Sequence, residues 1–204
     1  SPDAEASLEA NPEDVTRKKA RVWAGAGVRR VSLGAQSFDP AELVGLGRAH
    51  GPERTVEAVH ILRDAGISNI NLDLIAGAGS AQESGWLHSL QTAVELGVPH
   101  VSFYILEYEP GTVFSRKPAA ERWDPDQEGH VILQAASFLA AAGFEWYEIS
   151  NFAKPGFRCR YNDHFWRGGD VLGLGPGAAS SQAAYRRRNV RNLTRYLKDP
   201  LSPG

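Results

Sequence analysis

The chain of 204 residues reads as an α/β protein, a partial TIM-like (β/α) barrel followed by the start of an α+β extension. Three observations predict this. Four times a glycine opens a short β-type run: Gly27 (GVRRVSLGAQSF), Gly66 (GISNINLDLIAG), Gly97 (GVPHVSFYILEY) and Gly143 (GFEWYEISNFA). Helix signals fill the intervals, and βα units repeating in one direction build a parallel sheet. The first three runs finish on polar residues, Gln36, Asp73 and Glu107, and such sheets hold ligands at the carboxyl ends of their strands.

The elements follow in order. SLEA, ending on Glu9, is a strand at about 5 to 10 whose tip residue joins the other three. Asn11 before Pro12, Glu13 and Asp14 predicts an N-cap, a proline at the first helical position and carboxylates against the helix dipole, with the helix running to Gly25. A strand over 29 to 36 follows. Asp39 and Pro40 repeat the capping device for a short helix at 40 to 46. The helix at 54 to 65 places Val56, Val59, Ile61, Leu62 and Ala65 on one stripe, and a strand at 68 to 75 follows Gly66. Ser80 and Glu83 have capping-box spacing for a helix carrying Trp86, Leu87, Leu90 and Val94, before a strand at 100 to 107. Asp124 and Pro125 open a fifth helix with Ile132, Leu133, Ala136, Phe138 and Leu139 as its buried side. Short αβ connections favour sequential, right-handed packing of parallel strands. The division expected is residues 1–144 as the partial barrel and 145–204 as the start of the extension.

Composition bounds the function. With 42% hydrophobic and 23% charged residues the chain can bury a core. A net charge of -2 gives no global attraction to nucleic acid or to an anionic membrane, so no nucleic-acid partner and at most peripheral membrane contact are expected. No apolar run reaches the about 20 residues of a membrane span, and no signal peptide opens the chain, which makes the cytoplasm the expected location. A single cysteine, Cys159, forms no internal disulfide and cannot build a zinc or iron–sulfur site alone. The chain contains no methionine and starts and ends abruptly, which reads as an internal piece of a longer protein.

As chemistry, the carboxylates Glu9 and Asp73, the amide of Gln36 and the guanidinium of Arg48 suit a zwitterionic, hydroxyl-rich ligand. Carboxylates accept from an ammonium or a ribose diol, and an arginine pairs bidentately with a carboxylate. The bland alternative is that each polar residue merely ends a strand in water; alignment of several weakens it.

LEANP (8–12), RVSLGAQSF (30–38), LGRAH (46–50), NINLDLIAG (69–77), HVSFYILEYEPGT (100–112), YEISNFAKPG (147–156) and LGLGPGA (172–178) resemble, in order, segments of the oxygen-independent coproporphyrinogen III oxidase family of radical S-adenosylmethionine (SAM) proteins. The EPGT and YEISNFA segments are most similar to its HemW-type heme chaperone branch. The resemblance implies a barrel of the radical SAM type in which Glu9, Gln36, Arg48 and Asp73 surround SAM. It also implies a [4Fe-4S] cluster on a CxxxCxxC loop that opens SAM reductively to a 5'-deoxyadenosyl radical. That loop is expected upstream in a full-length parent, with no metal ligands in this chain and an unpaired sheet edge where earlier strands belong.

Departures from the family pattern matter. Its GLPGQT turn reads Gly77, Ala78, Gly79, Ser80, Ala81 and Gln82, and the histidine of its GPGAHS segment is Ala179. The HNxxYW motif associated with heme reads Tyr161, Asn162, Asp163, His164, Phe165 and Trp166, which leaves Tyr161 and His164 as the candidate heme ligands, against packing or solvation of the same residues. Gly173, Gly175 and Gly177 read as a tight turn, and the run Arg186, Arg187, Arg188, Arg191, Arg195 and Lys198 as a solvated helix face or a contact to further chain. His50, His60, His88, His100 and His130 show no metal-ligand spacing and read as ordinary core or surface histidines. Cys159 sits between two arginines with no base in view.

Three functions stand. The first is the core of a heme chaperone that binds SAM and a cluster and carries heme to a recipient protein. The second is an oxidase that decarboxylates coproporphyrinogen propionates. The third is a cluster-free remnant that binds a small ligand or a partner.

Overall fold

The computed structural model of the chain describes residues 3–78, 84–112, 114–116, 122–183 and 185–200. The Ser80–Glu83 capping box and the Gly79–Gln82 part of the GLPGQT counterpart lie outside them. The chain divides into two compact units, Ser1–Arg158 and Cys159–Gly204.

The first unit is built on strands β1 (Ala6–Ala10), β2 (Val28–Gln36), β3 (Asn69–Ala76) and β4 (His100–Ile105), all parallel. Two short strands, β5 (Glu145–Trp146) and β6 (Asn151–Ala153), complete the sheet in the order β1-β2-β3-β4-β6-β5. β6 runs antiparallel to β4, so the fourth glycine-led run is a hairpin and not another barrel strand. β1 lies at the sheet edge, paired to β2. Helices α1 (Arg17–Gly25), α2 (Pro40–Gly45), α3 (Pro52–Asp64), α4 (Ser84–Glu95) and α5 (Pro125–Ala141) lie between the strands.

The glycines that predict the β runs sit one residue past the helix caps, in the left-handed region: Gly27 at φ 92°, Gly66 at 89°, Gly97 at 68° and Gly143 at 84°. At α3 the amide of Gly66 bonds the carbonyl of Arg63 (2.9 Å) and that of Ile67 bonds Leu62 (3.0 Å). At α5 Gly143 bonds Ala140 (3.0 Å) and Phe144 bonds Leu139 (3.0 Å). These are Schellman ends, in which a left-handed residue closes the helix and the next apolar residue packs back, so Ile67 and Phe144 are buried.

Two sequence expectations are corrected. The helix expected from Asn11 to Gly25 is broken: Pro12–Asp14 form a 3-10 turn, and α1 starts after Thr16, whose side chain accepts from the amide of Lys19. Asn11 makes no capping bond. The buried stripe of α5 is Val131, Ala135 and Leu139, and Leu133 is exposed. α5 does begin at Asp124, which forms a capping box with Gln127.

Strand geometry sends alternate side chains to opposite faces. Val31, Leu33 and Ala35 of β2, Ile70, Leu72, Leu74 and Ala76 of β3, and Val101 and Phe103 of β4 all join the apolar core that includes Ala58, Val59 and Leu62 of α3 and Leu90 and Ala93 of α4. The outer face is thus apolar and helix-covered. The inner face is polar.

The second unit contains α6 (Arg160–Trp166), the hairpin β7 (Ala179–Gln182) and β8 (Tyr185–Arg188), and α7 (Leu193–Lys198). Gly173, Gly175 and Gly177 do form a turn, with Asn189 Nδ2 donating to the carbonyls of Gly173 (3.1 Å) and Gly175 (2.9 Å). The arginine run expected on a helix face is split: Arg186, Arg187 and Arg188 lie on β8 and Arg195 on α7. No helix among the described residues is long and apolar enough to cross a membrane.

Leu72 is fully buried at the centre of β3. Leu72→Ala is expected to lower the unfolding free energy by about 3 kcal/mol, from lost transfer and the cavity left behind. Urea denaturation followed by circular dichroism measures it.

Candidate ligand site on the inner face

Register fixes the site. Glu9 pairs with Ser32, Ser32 with Asn71, Asn71 with His100, Asp73 with Ser102, and Ser102 with Asn151. Laterally paired residues share a face, so these polar side chains form rows across the inner surface.

They bond one another closely. Ser32 Oγ donates to Asp73 Oδ2 (3.0 Å), and Asn71 Nδ2 reaches Asp73 Oδ1 (2.8 Å), Ser32 Oγ (2.6 Å) and Ser102 Oγ (2.9 Å). Ser102 Oγ donates to Asn151 Oδ1 (2.6 Å), and Asn151 Nδ2 donates to Glu148 Oε1. His100 lies between Asn71 Oδ1 at Nδ1 (2.6 Å) and the Tyr147 hydroxyl at Nε2 (2.8 Å). Arg30 is buried at the lower end of the same face, where Nη1 donates to Ser7 Oγ (3.3 Å).

Burial shifts three groups on this face. His100 is pushed down to about 3, first by desolvation and then by the Arg30 guanidinium, so it is a neutral imidazole at physiological pH. Asp73 is raised by desolvation, against the neighbouring hydroxyl of Ser102, the bonds from Ser32 and Asn71 and the charge of Arg30. The Tyr104 phenol is raised by burial and then by Asp73, with Glu148 and Glu9 adding to it. Three carboxylates therefore act on one phenol.

The rim is strained. Gln36 ends β2 with φ 67°, and Ser37 N bonds the carbonyl of Ala35 (2.9 Å) across it, a γ-turn of the uncommon left-handed type. A Cβ at Gly34 would lie 2.7 Å from Gln36 Nε2 and 3.3 Å from Asn11 Oδ1, so this glycine lets both amides lie over the strand. Arg48 Nη1 donates to the same Asn11 Oδ1 (3.3 Å). Arg48 is placed there by the end of α2, where Gly47 (φ 67°) bonds Val44 (3.0 Å) and Arg48 N bonds Leu43 (2.9 Å). Beneath the turn Ser37 Oγ donates to the buried Glu42 (2.5 Å), and Ser89 Oγ of α4 accepts from Phe38 N (2.8 Å). Glu42 is raised, chiefly by desolvation.

The predicted tips thus fall into two linked groups. Gln36 and Arg48 meet at Asn11 above Gly34, and Asp73 joins Ser32, whose register partner is the exposed Glu9. Glu107 stands apart, beyond the end of β4, where with Tyr104, Tyr108, Glu128 and Ile132 it lines a cavity of about 430 Å³. In the second unit, Tyr161 is 57% exposed and stacks on Phe165 (6.4 Å between centroids). His164 is engaged: Nε2 donates to the carbonyl of Asp170 (2.9 Å), and its ring covers Gly169, where a Cβ would meet it at 2.2 Å.

Residues 1–92 match the radical SAM superfamily. The chain belongs to that superfamily. Among curated relatives it is 39% identical over 181 residues to the heme chaperone HemW of Escherichia coli (strain K12), covering 86% of this chain and 46% of that protein. It is 40% identical over 200 residues to the heme chaperone HemW of Mycobacterium tuberculosis (strain CDC 1551 / Oshkosh), covering 97% and 51%. The chain spans about half the length of these relatives. Its fold matches that of the coproporphyrinogen III oxidase HemN of Escherichia coli with a TM-score of 0.81 at 22% identity, over 97% of this chain and 49% of that one. The first unit therefore carries the partial barrel that the glycine-led repeats predicted, of the radical SAM type that the resemblance implied.

The donor set suits a zwitterion bearing a diol, because exposed Glu9 and partly exposed Asp73 accept while Arg48 and Gln36 donate. It does not suit a cluster: no group of three or more His, Cys, Asp or Glu among the described residues could hold a metal, and Cys159 is buried in the second unit. Asn11, Ser32, Asn71, His100, Ser102, Tyr147 and Asn151 are the side chains that sequence reading passed over. Their signal was present, since RVSL, NINLDL and HVSF alternate polar and apolar in strands that pair in register.

Because the folded His100 stays neutral down to about 3 while the unfolded imidazole takes a proton below about 6.5, its contribution to stability is present above 6.5 and is lost as pH falls through that window. Between pH 6.5 and 4.5 this group alone is expected to remove about 2–3 kcal/mol from the unfolding free energy, at about 1.4 kcal/mol per unit. Urea titrations at the two pH values measure the loss, and in His100→Gln that component disappears. Asp73 has the opposite sign. Its raised value means that ionisation costs stability above the ordinary carboxylate range, so Asp73→Asn is expected to melt no lower than the parent at pH 7, as scanning calorimetry reports.

Proposed function

We propose that this chain is the SAM-binding core of a radical SAM heme chaperone. The observation that carries the reading is the convergence of Gln36, Arg48 and Asn11 over Gly34, next to the Glu9–Ser32–Asp73 row, at the carboxyl ends of β1, β2 and β3. Arg48 is suited to the methionine carboxylate, Glu9 and Asp73 to the ammonium and the ribose hydroxyls, and the strained Gln36 amide to orientation of the adenosyl group. When bound, SAM supplies a sulfonium that one-electron reduction opens. The protein's own part is to bind, orient and keep water from it. The [4Fe-4S] cluster belongs to ligands elsewhere in the full-length protein.

Heme is the proposed cargo, received from solution and passed to a recipient protein in the cytoplasm. The identities of 39% and 40% to proteins named as heme chaperones support this. α6 supplies an exposed aromatic set, Tyr161, Phe165 and Trp166, on which a flat macrocycle can lie. Tyr161 offers an exposed phenol as axial ligand, and His164, whose Nε2 donates to Asp170 O, offers the lone pair of Nδ1. On this reading residues 145–204 are the start of the family's C-terminal extension and open with the hairpin β5–β6, whose strand β6 pairs with β4.

In the reconstituted full-length protein, Asp73→Ala and Gln36→Ala are each expected to weaken SAM binding about tenfold or more, the cost of removing a hydrogen bond to a charged ligand. Isothermal titration reads the affinity and circular dichroism the retained fold. Wild-type affinity in both variants would end the SAM assignment. For heme, Tyr161→Phe is expected to abolish the phenolate-to-iron charge-transfer band and weaken binding, while His164→Ala leaves that band in place. The reverse pattern would move the ligand to His164.

A further inference from the structure

We infer that His100, acting through Asn71, is the positioning residue of Asp73, and that Tyr147 of the β5–β6 hairpin completes the arrangement by donating to the far nitrogen of the ring. The inference rests on the SAM reading only for its functional consequence; its geometry stands apart from it.

An ionised carboxylate can only accept, so the side-chain atom of Asn71 that lies 2.8 Å from Asp73 Oδ1 must be the amide nitrogen. The carbonyl oxygen of Asn71 then faces His100 Nδ1 at 2.6 Å, and that ring nitrogen must carry the proton. Nε2 is left with its lone pair, and the Tyr147 hydroxyl at 2.8 Å must donate to it. Each bond dictates the next. The direction runs from Tyr147 to His100 to Asn71 to Asp73.

The serines agree with this orientation. Ser32 donates to Asp73 and Ser102 to Asn151, so both hydroxyls turn lone pairs toward the Asn71 nitrogen, whose two hydrogens are shared among them and Asp73 Oδ1. His100 is 0% exposed and Asn71 1%, so water cannot replace a lost donor. If the Asn71 amide turned over, its oxygen would face the Asp73 carboxylate and its nitrogen would face an imidazole N–H. The contact with Asp73 would be repulsive in either tautomer, and the contact with the ring is relieved only if the imidazole proton moves to Nε2 and the Tyr147 hydroxyl reverses. The imidazole therefore holds the amide in place, and the amide aims a donor at the carboxylate that faces the ligand. The charged and titratable groups that face this set include Arg30 of β2, Asp73 of β3, Tyr104 of β4, Glu9 of β1, Glu148 beside Tyr147, and Arg158, whose guanidinium lies 5.4 Å from the centre of the Tyr147 ring. Tyr147 itself is held by the bond from its amide to Asn151 O (3.2 Å) and by edge contact with the imidazole, at 5.6 Å and 76°. A residue of the antiparallel hairpin thus begins a chain of donors that ends on a carboxylate of a barrel strand.

A histidine that only fills the core would do none of this, and three measurements on the full-length protein separate the roles. In the wild type, long-range ¹H–¹⁵N spectra should show His100 as the Nδ1–H tautomer with no titration between pH 5 and 8. The Nε2–H tautomer, or a midpoint in that range, would overturn the inference without any variant. His100→Phe, which removes the donor, is expected to weaken SAM binding about tenfold, and His100→Gln, which can still donate to Asn71, to stay within about threefold of wild type. Equal losses in both would mean a packing role alone. Independently of SAM, the Asn71 side-chain amide and the Asp73 carboxyl carbon should shift in His100→Phe and return toward wild-type positions in His100→Gln. Unchanged resonances in His100→Phe would overturn the positioning role. If Asp73→Ala leaves SAM affinity intact while these shifts appear, the SAM assignment fails and the positioning of Asp73 by His100 stands.

Discussion

The amide of Asn71 is the interaction on which the inner face depends. A parallel sheet covered by helices on one side ordinarily buries both faces in apolar side chains. Here the inner face carries serines, asparagines, a histidine, an arginine and an aspartate, and each buried polar atom must find a partner or destabilise the fold. Asn71 touches three strands at once, through Ser32 of β2, Asp73 of its own β3, and Ser102 and His100 of β4. The strands are held in register twice, by the ladder of backbone bonds and by this amide. The same bonds leave Asp73 a carboxylate whose position is over-determined, as a preorganised binding group must be.

Above that rigid floor the rim is built from strain. The left-handed Gln36 is tolerated because Ser37, Glu42 and Ser89 tie the following loop to α2 and α4. That network is costly in its own terms, since Glu42 is a desolvated carboxylate. A residue outside the favoured backbone regions persists only when its surroundings over-determine it, and such positions cluster where a ligand is held. The close approach of two amides over Gly34 is the complement of that turn, with a glycine where any Cβ would collide.

The hairpin after α5 extends the parallel sheet beyond β4 with antiparallel strands. β6 continues the sheet from β4, and Asn151, Glu148 and Tyr147 supply the far ends of both hydrogen-bonded branches. The barrel strands therefore do not satisfy their own polar face. In the second unit, α6 presents its aromatic residues to solvent and turns His164 back onto the backbone of Asp170 and Gly169.

Much of this was legible in the sequence. The helix ends were readable because a left-handed residue after a cap is nearly always glycine, so Gly27, Gly66, Gly97 and Gly143 marked where each β run begins. The tips Gln36 and Asp73 were readable because a strand's last polar residue is a local feature, and the superfamily was readable because its segments keep their order and spacing. Three things were not. The break at Thr16 depended on whether Asn11 caps a helix or turns to Arg48, a choice made by a residue 37 positions away. The antiparallel course of 145–153 depended on which edge of the sheet was open to it. His100 looked ordinary because its meaning lies in register: only when β3 lies beside β4 does it meet Asn71, and only when the hairpin folds back does it meet Tyr147. The sequence by itself determined the elements, their order and the superfamily, because these rest on local conformational preference. The tertiary structure decided the tautomer, the aim of the carboxylate and the strain at the rim, because these depend on hydrogen bonds between residues that only pairing of the strands brings within 3 Å.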